Sequence, residues 1–141
     1  MFKPTFKKII LFFFVKYLLF YIFLMFKNND YTLIQVNSFR SGEDVFYYLW
    51  LFLFLPVLSS IIFSAPIYFT FKIKNRIYFI LLISAILIAE YLLYTYWASQ
   101  ADLMNGVYNG IISLLVLLIF FYKHIGLMFK QGIISNTTHS I

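Results

Sequence analysis

The sequence predicts an all-α membrane protein with four transmembrane helices in a bundle and with both termini on the cytoplasmic side. The 141-residue chain is 63% hydrophobic and 11% charged, whereas soluble domains carry about 25% charged residues. Four apolar stretches approach or exceed the roughly 20 residues that a helix needs to cross a bilayer. Lysine and arginine concentrate at alternate ends of these stretches, and this pattern sets the orientation of membrane helices.

The first predicted span is Ile9–Phe26, which lies between Lys7–Lys8 and Lys27. A basic start followed by an apolar run is also typical of a cleaved signal peptide. Here the run is too long, Lys16 interrupts it, and no small-residue cleavage site follows. We therefore interpret this segment as a retained transmembrane helix.

The second predicted span lies within Val45–Phe71, behind the helix-start sequence Ser41-Gly42-Glu43-Asp44. We expect the Ser41 side chain to cap the helix and Asp44 to reach back to it. A helix of this length measures about 40 Å, which exceeds the bilayer core of about 30 Å. Proline interrupts the backbone hydrogen bonding of a helix, so Pro56 and Pro66 are expected to bend it.

The third and fourth spans are predicted at Ile77–Trp97 and at about Val107–Tyr122. The loop between them, 98–106, is short, so the two helices should form an antiparallel hairpin. The outer loop 28–42 is the longest polar connection, and residues 126–141 form a short cytoplasmic tail. Residues 1–141 thus make a single transmembrane domain.

Orientation follows from the lysine and arginine counts. With the N-terminus inside, eight basic residues lie on the cytoplasmic side, whereas Lys27 and Arg40 lie outside. The sequence therefore predicts a multi-pass protein of the cell inner (cytoplasmic) membrane. The inner basic residues are Lys3, Lys7, Lys8, Lys72, Lys74, Arg76, Lys123 and Lys130.

Several chemical functions are made improbable by composition. The chain has no cysteine, which excludes disulfides and thiolate metal sites, and we expect no metal site and no cofactor. It has no zinc-protease, nucleophile-elbow or phosphate-loop motif, so an enzyme is not expected. The net charge of +6 arises from basic residues at helix ends, which topology requires, and does not indicate nucleic-acid binding.

Two ionisable residues fall inside predicted spans, where each is by default a functional hypothesis. A carboxylate at the position of Glu90 must be protonated, paired or exposed to water inside a bundle. Tyr94 lies one helical turn outward and could donate a hydrogen bond to it. Asn109 and Ser113 lie at a similar depth in the predicted hairpin. We expect these two residues to be the partners of Glu90.

Lys16 is the second ionisable residue. It lies about 12 Å from the inner end of its span, whereas Glu90 lies about 21 Å from that surface. The offset of about 9 Å disfavours a direct ion pair between them, although helix tilt could close it. Lys16 is therefore interpreted as a residue that snorkels toward the inner surface or packs between helices.

Small residues mark candidate surfaces for helix packing. Gly106 and Gly110 form a G-x-x-x-G pair, which permits close helix approach. Ser60 and Ser64 give the second span a comparable face. All four are interpreted as packing residues.

Four short helices with a lone intramembrane glutamate, in the pair Ala89-Glu90, resemble the small multidrug transporters in architecture. Members of that family are shorter chains and carry their glutamate in the first helix, whereas here it lies in the third span. The resemblance implies a bundle of apolar helices, and no residue role is transferred from it.

Two classes of function remain open. The first is a small polytopic inner-membrane protein that acts by helix–helix interaction in the bilayer, as an accessory subunit or an immunity-type protein. Its partners would be the lipid bilayer and another membrane protein or copies of itself. The second is an oligomeric ion channel, a membrane-disrupting effector or a small proton-coupled transporter that uses Glu90.

Overall fold

The computed structural model describes residues 4–31, 41–97 and 103–137. Most of the predicted outer loop, part of the loop 98–106 and the last four residues of the predicted tail lie outside the described residues. The side chains of residues 47, 48, 51, 128 and 130–137 lie outside them as well. The described residues form four helices, α1 (Phe6–Asn28), α2 (Gly42–Thr70), α3 (Arg76–Trp97) and α4 (Leu103–Thr137).

Each helix contains a stretch long and apolar enough to cross a membrane. The prediction of a four-helix, multi-pass membrane protein is therefore confirmed. Large apolar side chains are exposed on the outer faces of all four helices, as expected where lipid rather than water surrounds a protein. The stretches are Phe6–Asn28, Phe52–Thr70, Arg76–Trp97 and Leu103–Leu127.

The start of α2 follows the sequence signal. Ser41 Oγ accepts a hydrogen bond from the backbone N–H of Asp44 at 3.3 Å, and Asp44 Oδ2 accepts one from the Ser41 N–H at 3.0 Å. This reciprocal capping box satisfies two amide groups at the helix start. The helix then continues through Pro56 and Pro66 to Thr70, so the bend at these prolines stays a prediction.

The fourth helix is longer than predicted. It begins four residues before Val107 and continues to Thr137, so residues 126–137 of the predicted tail are helical. The chain has no proline after Pro66, and apolar residues continue beyond Tyr122. The backbone departs from helical geometry at Phe121, with φ −116° and ψ 16°, where neither proline nor glycine marked a break.

The four helices are arranged as a square. α1 packs against α2 and α4, and α3 packs against the same two helices. Within the described residues, α1 and α3 therefore face each other across the diagonal. The core is largely aromatic at the end where α1 begins and α2 ends, with Phe71 and Phe121 ring centroids 4.5 Å apart. This arrangement places one face of every helix toward a common centre.

Candidate functional site

The two ionisable residues of the predicted spans meet at the centre of the bundle. Lys16 Nζ donates a hydrogen bond to Glu90 Oε1, which makes the two side chains an ion pair. Lys16 is fully buried and Glu90 is 3% exposed. Because α1 and α3 lie on the diagonal, the pair crosses the middle of the bundle.

The expectation that depth would keep Lys16 and Glu90 apart is therefore wrong. Helix α1 begins at Phe6, three residues before the predicted span. Counted from the helix starts at Phe6 and Arg76, the two residues lie about 15 and 21 Å along their helices. Glutamate side chains lean toward the start of their helix, and the long flexible stem of lysine spans the remaining offset.

Ser113 holds the second carboxylate oxygen. Its Oγ lies 3.0 Å from Glu90 Oε2 and 2.9 Å from the backbone oxygen of Asn109, and it donates to these acceptors. Ser113 is fully buried. The structure thus places one of the two expected hairpin residues against the glutamate.

Tyr17 connects the ion pair to α2. Its hydroxyl lies 2.7 Å from Ser59 Oγ and donates to Glu90 Oε1 over 3.5 Å. The Lys16 ammonium group also lies 4.1 Å from the centroid of the Tyr17 ring, within the range of a cation–π contact. We refer to Lys16, Tyr17, Ser59, Glu90 and Ser113 as the polar layer. It contains at least one residue from every helix.

Asn109 and Tyr94 are placed differently from the prediction. Asn109 is fully buried, but its Oδ1 and Nδ2 atoms have no hydrogen-bond partner among the described residues. It contributes its backbone oxygen to Ser113 instead. Tyr94 is buried, and its ring packs edge-on against Phe20 with centroids 5.1 Å apart. The tyrosine that the structure places against Glu90 is Tyr17.

Sequence reasoning missed Tyr17 and Ser59. The buried positions Phe12, Phe13, Lys16 and Tyr17 share one face of α1, but nearly every residue of α1 is apolar and no polar face contrasts with it. Ser59 is buried beside Ser60, and the serine pair gave no indication of which residue faces inward. The helical face that contains Lys16 is the signal that could have found Tyr17.

The predicted packing residues also differ in their roles. A methyl group at Gly106 would collide with Thr95 Oγ1 and lie 2.8 Å from the Tyr91 ring, whereas one at Gly110 would meet no atom within 4 Å. Only Gly106 therefore permits the close approach of α3 and α4. Ser60 Oγ donates to the Pro56 carbonyl oxygen at 2.6 Å, and Ser64 is buried without a described partner.

Charge neutralisation explains how the pair persists in an apolar setting. An isolated charge in a protein interior or a bilayer is costly, whereas a carboxylate and an ammonium group in contact neutralise each other. Ser113 and Tyr17 supply further hydrogen bonds to the carboxylate. Removal of either ionic partner would leave the other charge buried and unpaired.

The polar layer is closed to the surroundings. A groove of about 550 Å³ lies between α2 and α3, and a second cavity of about 300 Å³ lies between the start of α1 and α4. Neither is lined by a member of the polar layer. Among the described residues, no group of three His, Asp or Glu side chains could hold a metal ion.

No protein-family model, curated protein or solved structure matches this chain. The site is therefore interpreted from its own geometry.

Proposed function

We propose that the chain is a multi-pass protein of the cytoplasmic membrane that acts through helix–helix contacts in the bilayer, as an accessory subunit or an immunity-type protein. One observation carries this proposal. The charge of Glu90 is neutralised inside the bundle by Lys16, and the layer is not part of either cavity described above. The polar layer then holds the four helices together, and the outer apolar surfaces make the functional contacts.

The groove between α2 and α3 is the surface we assign to a partner helix. Its volume is about 550 Å³, and the small residues Ala85 and Ala89 line one wall opposite Pro66. Small side chains let two transmembrane helices approach closely. The partner is another membrane protein or a second copy of this chain.

The orientation in this proposal places both termini on the cytoplasmic side, with α3 and α4 as an antiparallel hairpin. Contacts between these helices run in reverse order along the chain, since Glu90 contacts Ser113 and Thr95 faces Gly106. The excess of lysine and arginine at one end of the bundle supports the orientation.

The test is the isolation of the tagged full-length chain in mild detergent, together with two matched alanine-to-phenylalanine variants. Ala89→Phe fills the groove, whereas Ala65 is exposed on α2 and does not line it. We expect the wild type and Ala65→Phe to migrate as one stoichiometric complex on native gels. Ala89→Phe should release the 16.8 kDa chain as a monomer. A monomeric wild type would refute the proposal.

The alternative is a channel or proton-coupled transporter that uses Glu90. Its support is that Glu90 is the only acidic residue within the four apolar stretches. Proteoliposomes that contain the purified chain distinguish the two functions. Proton or cation flux in the wild type that is lost in Glu90→Gln would favour transport and contradict the interaction proposal.

A further inference from the structure

A cavity of about 300 Å³ opens where α1 begins and where α4 departs from helical geometry. In a straight helix successive side chains point about 100° apart, so five consecutive residues do not line one pocket. Five consecutive residues of α4, 120–124, nevertheless line this cavity, around the irregular backbone at Phe121. The lining residues are Pro4, Thr5, Lys8, Phe120, Phe121, Tyr122, Lys123 and His124.

Among the described residues, basic groups and no acidic group line the cavity. Lys8 Nζ lies 5.3 Å from the centroid of the Phe121 ring, which forms part of the wall. Lys123 also lines the cavity, and Nε2 of His124 lies 2.9 Å from the Phe71 backbone oxygen. The electrostatic complement of the cavity is an anion.

The start of α1 adds to the positive potential. Thr5 is the N-cap residue in an extended conformation, and its side chain makes no capping hydrogen bond. The first amide N–H groups of a helix and its macrodipole favour a negative group at this end. Thr5 and Lys8 bring this helix end into the same cavity as Lys123.

The position in the fold identifies the kind of anion. Lys8 lies near the start of the apolar stretch of α1, and Lys123 lies four residues before the end of the apolar stretch of α4. Both are thus close to the level at which phospholipid headgroups meet a spanning helix. Next to the cavity, α4 presents exposed apolar side chains, with Ile119 69% and Leu115 53% exposed. These side chains provide a surface along which acyl chains can lie. Basic pockets between transmembrane helices on the cytoplasmic side are suited to anionic lipid headgroups.

We propose that this cavity binds the phosphate group of an anionic membrane phospholipid, with Lys8 and Lys123 as its cationic ligands. The proposal is independent of the partner function, because the cavity is separate from the groove between α2 and α3. Failure of one proposal therefore leaves the other standing.

The test is native mass spectrometry of the full-length chain in detergent, titrated with phosphatidylglycerol or phosphatidylcholine. The double variant Lys8→Gln/Lys123→Gln removes the two ligands. Lys7→Gln/Lys74→Gln removes the same charge from exposed residues that do not line the cavity. We expect the wild type to retain one phosphatidylglycerol in preference to phosphatidylcholine. The first variant should bind it at least about 30-fold more weakly, and the control should stay within about threefold.

Two further arms make the result decisive. Lys8→Arg/Lys123→Arg preserves both charges and should bind like the wild type, which shows that charge rather than folding is measured. Equal weakening in both glutamine variants would mean diffuse attraction to basic residues and would overturn the proposal. Displacement of the lipid by inorganic phosphate at an equal concentration would assign the cavity to a soluble anion and would overturn the lipid assignment.

Discussion

At the scale of single residues, two tyrosines on α1 differ in the hydrogen bonding of their hydroxyl groups. Tyr17 and Tyr21 are one helical turn apart and both contact the core. The Tyr17 hydroxyl lies 2.7 Å from Ser59 Oγ and joins α2 to the ion pair. The Tyr21 hydroxyl is buried and has no hydrogen-bond partner among the described residues. Substituting these two tyrosines is thus a matched test of whether the polar layer stabilises the bundle.

We predict that Tyr17→Phe lowers the free energy of unfolding by about 0.5–1.5 kcal/mol, because it leaves Ser59 unpaired in the core. Tyr21→Phe removes an unsatisfied hydroxyl and should be neutral or slightly stabilising. Unfolding of the purified variants in a denaturing detergent, followed by circular dichroism, measures both. Equal stability of the two variants would show that the Tyr17 contact contributes nothing.

The sequence allowed the central carboxylate and one of its partners to be predicted, but not the ion pair. Glu90 is the only acid in an otherwise apolar helix, and counting back from a short loop placed Ser113 at its depth. Such counting fixes positions along neighbouring helices. It cannot show which residues face each other across the diagonal, since this depends on helix rotation and on where α1 starts. Lys16 was therefore assigned to a separate role.

At the scale of helices, the contact between α3 and α4 depends on one glycine. Gly106 faces Thr95 and the Tyr91 ring at a separation that leaves no room for a methyl group, whereas Gly110 faces open space. The G-x-x-x-G spacing identified the helix and the kind of contact. It did not identify which glycine makes the contact, because the pattern does not specify the rotation of the helix.

We predict that Gly106→Ala destabilises the protein by about 1–3 kcal/mol, because the added methyl group forces α3 and α4 apart. Gly110→Ala should stabilise α4 by up to about 1 kcal/mol, since alanine is the better helix former. The two substitutions add the same atom to the same helix, so detergent unfolding compares them directly. A greater loss of stability at Gly110 than at Gly106 would contradict the packing described here.

Local sequence signals are sufficient to predict some features of the helices and not others. The capping box at Ser41 was predicted from four residues, because its hydrogen bonds form within one turn. The departure from helical geometry at Phe121 has no local signal. It occurs where the rings of Phe12 on α1 and of Phe71, directly after α2, contact Phe121. Tertiary packing of this kind cannot be predicted from a short stretch of sequence.

At the scale of the whole molecule, the basic residues predict which way the bundle is oriented. Lys7, Lys8, Lys72, Lys74 and Arg76 flank the end of the bundle where α1 and α3 begin and α2 ends. The acids Glu43 and Asp44 occupy the start of α2, at the opposite end. This asymmetry supports cytoplasmic placement of the lysine-rich end.

Since the chain has no cysteine, single cysteine variants report topology without background. We predict that Asn28→Cys reacts with a membrane-impermeant maleimide in intact cells or spheroplasts. Lys74→Cys should react only after the membrane is opened. Both residues are exposed at opposite ends of the bundle. The reverse labelling pattern would invert the proposed orientation, and labelling of both in intact cells would reject it.

The central claim is that one buried ion pair joins α1 to α3 through the middle of the bundle. Removing one partner of a buried pair costs about 3–5 kcal/mol, because the remaining charge is left uncompensated. Placing two like charges together is worse, since repulsion is added to desolvation. Exchanging the two residues therefore tests the pair, because both charges are kept and only the helix that carries each charge changes.

The most direct measurement compares Lys16→Glu, Glu90→Lys and the double variant that carries both substitutions. Each single variant should fail to accumulate as a folded, monodisperse protein in detergent extracts, because two like charges would then face each other. The exchanged pair should recover a substantial part of the wild-type yield and thermal stability. Normal folding of either single variant would contradict the ion pair. A double variant whose yield and thermal stability are as low as those of the single variants would also contradict it.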